Sequence, residues 1–179
     1  GAVPVSWALC EDHSISELIT AVALANEVAG RIGAATLLGP SLGATNPMVV
    51  AAAAATAAAR LLGLSAAQCS HAIALAIRGS GSHRQPRGVC ADGLLLGAPA
   101  LAGLQAAQLA RDGVREDLGM LEDTHGPLSS QCWLPLRAAF TGLGAAWLTE
   151  TLAFKLAPLA LHAQVPVQAT AEILRRHIK

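Results

Sequence analysis

The sequence has no tyrosine, and aromatic residues make up only 3% of its 179 residues. A core with so few rings has to be filled by alanine, leucine, valine and isoleucine. Charged residues are also scarce, at 13%, and the formal net charge is zero. Because no basic face with interleaved aromatic side chains is present, nucleic-acid binding is not expected. The 53% content of hydrophobic residues excludes a disordered chain.

Paired cysteine motifs are missing as well. The four cysteines are Cys10, Cys69, Cys90 and Cys132. They form no C-x-x-C pair, so neither a zinc site nor a redox motif is expected. We expect free thiols and a cytoplasmic protein, because disulfides belong to oxidising compartments. No basic segment followed by an apolar one opens the sequence, as a secretory signal would require.

Several common signatures are absent. The sequence has no H-E-x-x-H, Walker or G-x-G-x-x-G motif and no nucleophile elbow, so we expect neither a metal nor a cofactor. Runs of alternating β-branched residues are also missing, which argues against a sheet. The uncharged stretch 93–110 is interrupted by Pro99 and three glycines. We interpret it as a buried core helix, and no membrane partner is expected.

Alanine-rich stretches, in contrast, are prominent. Residues 51–62 contain eight alanines and are followed by Gly63, and residues 103–112 are followed by Gly113. Alanine has the most favourable helix propensity, and its small side chain lets helices approach closely. The sequence therefore predicts a compact all-α helical bundle, which we assign to one domain spanning residues 1–179.

Local patterns predict where the helices begin and end. Ser14 and Glu17 form a capping box, and Ser65 is expected to cap a helix over 66–78. Glu27 and Arg31 are spaced as an i,i+4 pair on the outer face of the first helix. Further helices are predicted over 92–112, 134–148 and 167–178, and an extended loop over 154–166.

Five segments together resemble the MmgE/PrpD family, which contains 2-methylcitrate dehydratases, cis-aconitate decarboxylases and iminodisuccinate epimerases. They are residues 3–9 (VPVSWAL), 18–33 with Asn26-Glu27-Val28-Ala29-Gly30-Arg31, 51–65, 97–113, and Phe154-Lys155-Leu156-Ala157-Pro158. The resemblance implies a helical domain, acid–base chemistry and a homodimer. It covers the helical domain only, so we expect a reduced relative that lacks the family's α/β second domain.

Three positions depart from the family pattern. Asn46 precedes Pro47 where the family has histidine, Asp92 replaces its catalytic lysine, and Leu95 replaces a second histidine. The change from lysine to aspartate reverses the charge, so the same substrate carboxylate cannot be held there. The departures therefore predict a substrate other than a small tricarboxylate, larger and more apolar.

Candidate catalytic residues lie in and just after the glycine-rich loop 79–88. His83 exchanges protons near neutral pH, and Arg84 and Arg87 present forks that suit carboxylates. A solvated surface loop is the alternative interpretation. Asp92 is either a general base or only a helix N-cap. We predict His83 and Asp92 as proton-transfer groups, with Arg84 and Arg87 binding substrate.

Four further polar residues are predicted to bind substrate. Asn46 replaces the family histidine, and His125 follows Asp123 in a polar turn, where a simple turn is the alternative. Lys155 and His162 belong to the segment that the resemblance brings over the helical cleft, although both could equally be surface residues.

Together these features predict an enzyme without a cofactor that carries out acid–base chemistry next to a carbonyl or carboxylate, as a lyase, isomerase or cyclase of specialised metabolism. The expected partners are a small-molecule substrate and a second copy of the chain. A non-catalytic binding or scaffold homologue is the alternative, because the family's catalytic residues are replaced.

Overall fold

The computed structural model describes residues 12–36, 47–80, 92–151, 156–157 and 161–177. Within these ranges it contains six α-helices and no strand. The helices are α1 (Ile15–Thr36), α2 (Pro47–Leu61), α3 (Ala66–Gly79), α4 (Asp92–Arg111), α5 (Leu136–Ala139) and α6 (Leu161–His177). Short 3₁₀ helices cover Leu118–Leu121, Ser129–Gln131 and Leu148–Thr151. The predicted all-α class is confirmed.

The chain divides into two compact units, Gly1–Thr149 and Glu150–Lys179. The first contains α1 to α5. In the second, the Gln164 side chain near the start of α6 accepts from the backbone N–H of Ala157 and donates to its carbonyl, at 3.1 and 2.8 Å. The single domain over residues 1–179 stays a prediction.

Helix α2 is the centre of the first unit, since α1, α3 and α4 all pack against it. Its alanines are buried on several faces, and those at Ala51, Ala55 and Ala58 join alanines of α3 and α4 in one core cluster. Gly103 of α4 lies so close to α2 that an added Cβ would collide with the Ala51 carbonyl oxygen. Small residues therefore set the spacing of the bundle, as the sequence predicts.

The predicted helix caps are confirmed. The Ser14 backbone N–H and hydroxyl both donate to Glu17 Oε2 at 2.8 Å, and Ser65 forms the same kind of box with Gln68. Gly63 ends α2 with a φ of +66°, a left-handed conformation that suits glycine. These local signals fix the N-termini of α1 and α3 and the C-terminus of α2.

Three local predictions are wrong. The helix predicted over 134–148 is only the four-residue α5, followed by turns in which Gly142 and Gly144 adopt positive φ. The loop predicted over 154–166 ends early, because α6 begins at Leu161 and contains Pro166. Glu27 and Arg31 do pair, but they are buried and not on an outer face.

Helix α1 is the one helix in the described part of the chain that is long and apolar enough to span a membrane, by length and composition alone. Core helices of soluble proteins pass the same test. Here α1 packs against α2 and carries the buried Glu27–Arg31 pair. In the stretch 93–110 the predicted buried core helix is found only in part: Ala106, Ala107 and Ala110 are buried, whereas Leu101 and Leu109 are exposed.

Candidate functional site

An open cleft with a volume of about 590 Å³ lies in the first unit, between the turn that follows α4 and the segment that leads into α5. Five of its lining side chains are apolar or aromatic: Leu121, Trp133, Leu134, Pro135 and Phe140. The volume is within the ~300–1,000 Å³ that is usual for small-molecule sites.

Local sequence signals build the first wall of the cleft. Asp117 caps the 3₁₀ helix Leu118–Leu121 by accepting from the Gly119 N–H at 2.9 Å. Asp123 Oδ1 accepts from the backbone N–H of His125, also at 2.9 Å. Gly126 is buried where a Cβ would collide with the Met120 carbonyl oxygen. These contacts hold the chain in a tight turn.

The second wall contains large apolar side chains that stay exposed. Trp133 is 66% exposed and Leu134 is 44% exposed. The Trp133 backbone N–H donates to the Ala35 carbonyl near the end of α1, at 2.8 Å. The backbone here is therefore anchored while the indole ring faces solvent.

Five polar side chains complete the lining: Glu122, Thr124, Ser129, Cys132 and Arg137. Arg137 and Glu122 are exposed, and neither has an ion-pair partner among the described residues. Burial raises the pKa of the Cys132 thiol, so the thiol stays protonated at neutral pH and is a poor nucleophile. Nowhere in the described ranges do three or more His, Cys, Asp or Glu side chains meet in a way that could hold a metal ion.

A buried ion pair on α1 holds the chain on both sides of Phe140, which is one of the lining residues of the cleft. Glu27 and Arg31 are each only 3% exposed, and Arg31 Nε donates to Glu27 Oε1 at 2.6 Å. Arg31 also donates to three backbone carbonyls, those of Ala139, Thr141 and Ala146, at 2.9, 3.0 and 2.7 Å.

The Glu27 carboxylate completes this arrangement by accepting from the Leu148 N–H at 2.7 Å. Burial by itself would raise the pKa of Glu27. The hydrogen bonds from Arg31 and Leu148 and the Arg31 charge outweigh it, so the pKa lies below its usual value. At neutral pH the pair is therefore ionised and binds both ends of the segment 139–148.

The structure places three of the predicted site residues. His125 lies exposed in the turn next to Thr124, and its backbone, not its imidazole, is bonded to Asp123. Asp92 is the first residue of α4, and His162 is the second residue of α6, which belongs to the other unit. The structure describes the backbone of these two residues but not their side chains. The predictions for Asn46, His83, Arg84, Arg87 and Lys155 fall on residues outside the described ranges. All eight assignments stay predictions.

Sequence reasoning overlooked the second wall of the cleft. A usable signal was available, since three of the five aromatic residues, Trp133, Phe140 and Trp147, fall within residues 133–147. Two of these three residues, Trp133 and Phe140, line the cleft.

The sequence profile of the MmgE/PrpD N-terminal domain matches residues 2–132, which is most of the chain. The chain belongs to this family. Comparison with curated proteins yields no match. MmgE/PrpD is a dehydratase- and lyase-like family with a helical N-terminal domain. The match contains α1 to α4 and the first wall of the cleft, whereas Trp133, Arg137 and Phe140 lie beyond it.

Within this family member, one departure from the family pattern is the first residue of a helix, and another directly precedes a helix in the sequence. Pro47 is the first residue of α2, directly after Asn46, and Asp92 is the first residue of α4. The first turn of a helix presents free N–H groups and a partial positive charge, which stabilise a carboxylate.

Proposed function

We propose that this protein is an enzyme that moves protons next to a carbonyl or carboxylate, as a lyase, isomerase or cyclase, without a cofactor and in the cytoplasm. The observation that carries the proposal is membership of a dehydratase- and lyase-like family over residues 2–132. The replaced family positions favour a substrate of specialised metabolism that is larger and more apolar than a tricarboxylate.

Asp92 and His83 are the proposed proton-transfer groups. An ionised Asp92 at the N-terminus of α4 can accept a proton, and it would repel the substrate carboxylate that the family's lysine attracts. In this proposal Arg84 and Arg87 bind the substrate's anionic or carbonyl oxygen. Asn46, His125, Lys155 and His162 supply further polar contacts.

Proton exchange tests the proposal without knowledge of the natural substrate. The protein is incubated in D₂O with a panel of keto acids and hydroxy acids of increasing apolar size, and ¹H NMR follows loss of the C–H signal next to the carboxylate or carbonyl. We expect exchange above background with the larger acids, and a fall of about 100-fold in Asp92→Asn and in His83→Ala.

Asp112→Asn is the matched control, because Asp112 is an exposed carboxylate directly after the other end of α4. It should exchange protons like the wild type, and far-UV circular dichroism should be the same for all variants. Equal exchange in Asp92→Asn, His83→Ala and the control would refute the assignment of these residues.

The second candidate is a binding or scaffold homologue that has lost the activity of the family. The replacement of the family's lysine by Asp92 and of its histidines by Asn46 and Leu95 favours it. This candidate predicts no exchange with any acid of the panel, together with saturable binding of at least one of them by calorimetry.

A further inference from the structure

We infer that the cleft between the turn 121–124 and the segment 129–140 binds a molecule with a large flat apolar body and one negative charge. This inference rests on the proposed function, because it names the substrate class of that reaction. Neither the family match nor the predicted site residues assign this cleft, and most of its second wall lies beyond the matched residues.

The apolar body follows from the side chains of the second wall. Trp133 is largely exposed and Leu134 is nearly half exposed, and both lie beside Pro135 and Phe140 in the same concave surface. Large apolar side chains grouped in a cleft mark a binding site rather than ordinary surface, and an indole stacks best on another flat ring system. A ligand that covers these side chains removes a continuous apolar area from water.

The single charge follows from the two ionic side chains of the lining. Arg137 has no acidic partner among the residues described, so its planar fork is available for a carboxylate. Glu122 lines the other wall and repels any additional negative charge on the ligand. One cation and one anion therefore suit a monoanion and disfavour a small tricarboxylate.

The wall is also held in place before a ligand arrives. Trp133 is anchored through its backbone to Ala35, and Phe140 lies between two residues whose carbonyls accept from the buried Arg31. A preorganised wall lowers the conformational entropy that binding would otherwise cost.

Isothermal titration calorimetry with three probes tests the inference. 2-Naphthoate has a flat apolar body and one charge, 2-naphthamide has the same body without a charge, and citrate has three carboxylates without an apolar body. We expect one site for 2-naphthoate, about tenfold weaker binding of 2-naphthamide, and no saturable binding of citrate.

Two variants locate the site. Trp133→Ala should weaken both naphthyl probes about tenfold, and Arg137→Gln should weaken 2-naphthoate to the level of 2-naphthamide while leaving 2-naphthamide unchanged. Both side chains are exposed, so neither variant should affect folding. Trp147→Ala and Arg115→Gln are matched controls outside the cleft lining, and they should bind like the wild type.

Several results would overturn the inference: no binding of 2-naphthoate, citrate binding as tightly as 2-naphthoate, or equal losses of affinity in Trp133→Ala and Trp147→Ala.

The failure of this inference can be distinguished from the failure of the proposed function. Proton exchange without 2-naphthoate binding removes the cleft inference alone. 2-Naphthoate binding that depends on Trp133 and Arg137, without any proton exchange, supports the cleft as a ligand site and removes the enzymatic proposal.

Discussion

Arg31 donates four hydrogen bonds to described residues, and three of them reach backbone carbonyls more than a hundred positions away in the sequence. A carbonyl withdrawn from water is costly unless it finds a donor. The guanidinium offers five N–H donors in a planar fork, whereas a lysine ammonium offers three on one atom. One arginine can therefore satisfy a whole turn of irregular chain.

The residue that keeps Arg31 in place is Glu27, and its ionisation should be visible in the pH dependence of stability. Because the folded-state pKa of Glu27 lies below its ordinary value of 4.5, the pair stabilises the protein fully above that pH. The contribution is lost as the pH falls through the folded-state pKa. We expect Glu27→Gln to lower the free energy of unfolding by about 2 kcal/mol at neutral pH.

The same variant should show a flatter decline in stability between about pH 6 and about pH 3, measured by urea unfolding at each pH. Some decline remains in Glu27→Gln, because Glu17 is still present and its pKa is also lowered, by hydrogen bonds from Ser14. Asp112→Asn removes an exposed carboxylate next to Arg111 and is the control, with a loss below about 1 kcal/mol. A Glu27→Gln curve parallel to that of the wild type would contradict the buried ionised pair.

At the scale of single residues, the sequence predicts which side chains pair better than it predicts how deeply they are buried. The i,i+4 spacing of Glu27 and Arg31 was enough to predict their contact, but their burial depends on carbonyls of a distant segment. For Asp123 and His125 the spacing left a substrate-binding histidine and a simple polar turn open, and in the structure the carboxylate accepts from the His125 backbone N–H. Local distance alone could not decide between these partners.

Helical elements follow local signals except where a distant contact intervenes. Capping boxes at Ser14 and Ser65 and the left-handed Gly63 are recognisable from sequence, because every partner lies within a few residues. The helix predicted over 134–148 failed for the opposite reason. Carbonyls that would accept from the next helical turn accept from Arg31, and Gly142 and Gly144 turn the chain.

The contact between α2 and α4 tests whether small residues set the spacing of the bundle. In Gly103→Ala the new Cβ would lie 2.8 Å from the Ala54 Cβ and 2.9 Å from the Ala55 nitrogen, so the helices have to separate. We expect a loss of about 2 kcal/mol in the free energy of unfolding, measured with urea.

Gly97→Ala is the control on the same helix, since no described atom lies within 4 Å of its added Cβ. There the better helix propensity of alanine should stabilise the protein by about 0.5–1 kcal/mol. Similar effects of the two substitutions would mean that helix propensity, and not the approach of α4 to α2, determines the result.

At the scale of the molecule, alanine content, helix caps and the family match all lead to the fold, but none of them leads to the cleft. The all-α bundle could be predicted from alanine content and caps, and the family match agrees with it. The cleft could not be predicted, because its walls come from segments without regular periodicity. Leu121, Cys132 and Phe140 of these walls pack against the core cluster that contains Met120 and Leu128.

The exposed side of α4 is the surface through which we expect two copies of the chain to associate. Leu101 is 54% exposed and Leu109 46%, and Ala98 and Gln105 are the other exposed residues between positions 98 and 109. This surface therefore has no charge over three helical turns, which is unusual for a helix facing water. We propose that it packs against a second copy of the chain, so sedimentation equilibrium should give twice the 18.1 kDa chain mass.

Leu101→Glu should shift that equilibrium to the monomer, because a dimer would bury an unpaired charge in the contact. Leu118→Glu places the same charge on an exposed leucine of the neighbouring 3₁₀ helix and should leave the dimer intact. A monomeric wild type at all concentrations, or a dimer that tolerates Leu101→Glu, would show that α4 does not form the interface. Circular dichroism of both variants should match the wild type, since each leucine is already in contact with water.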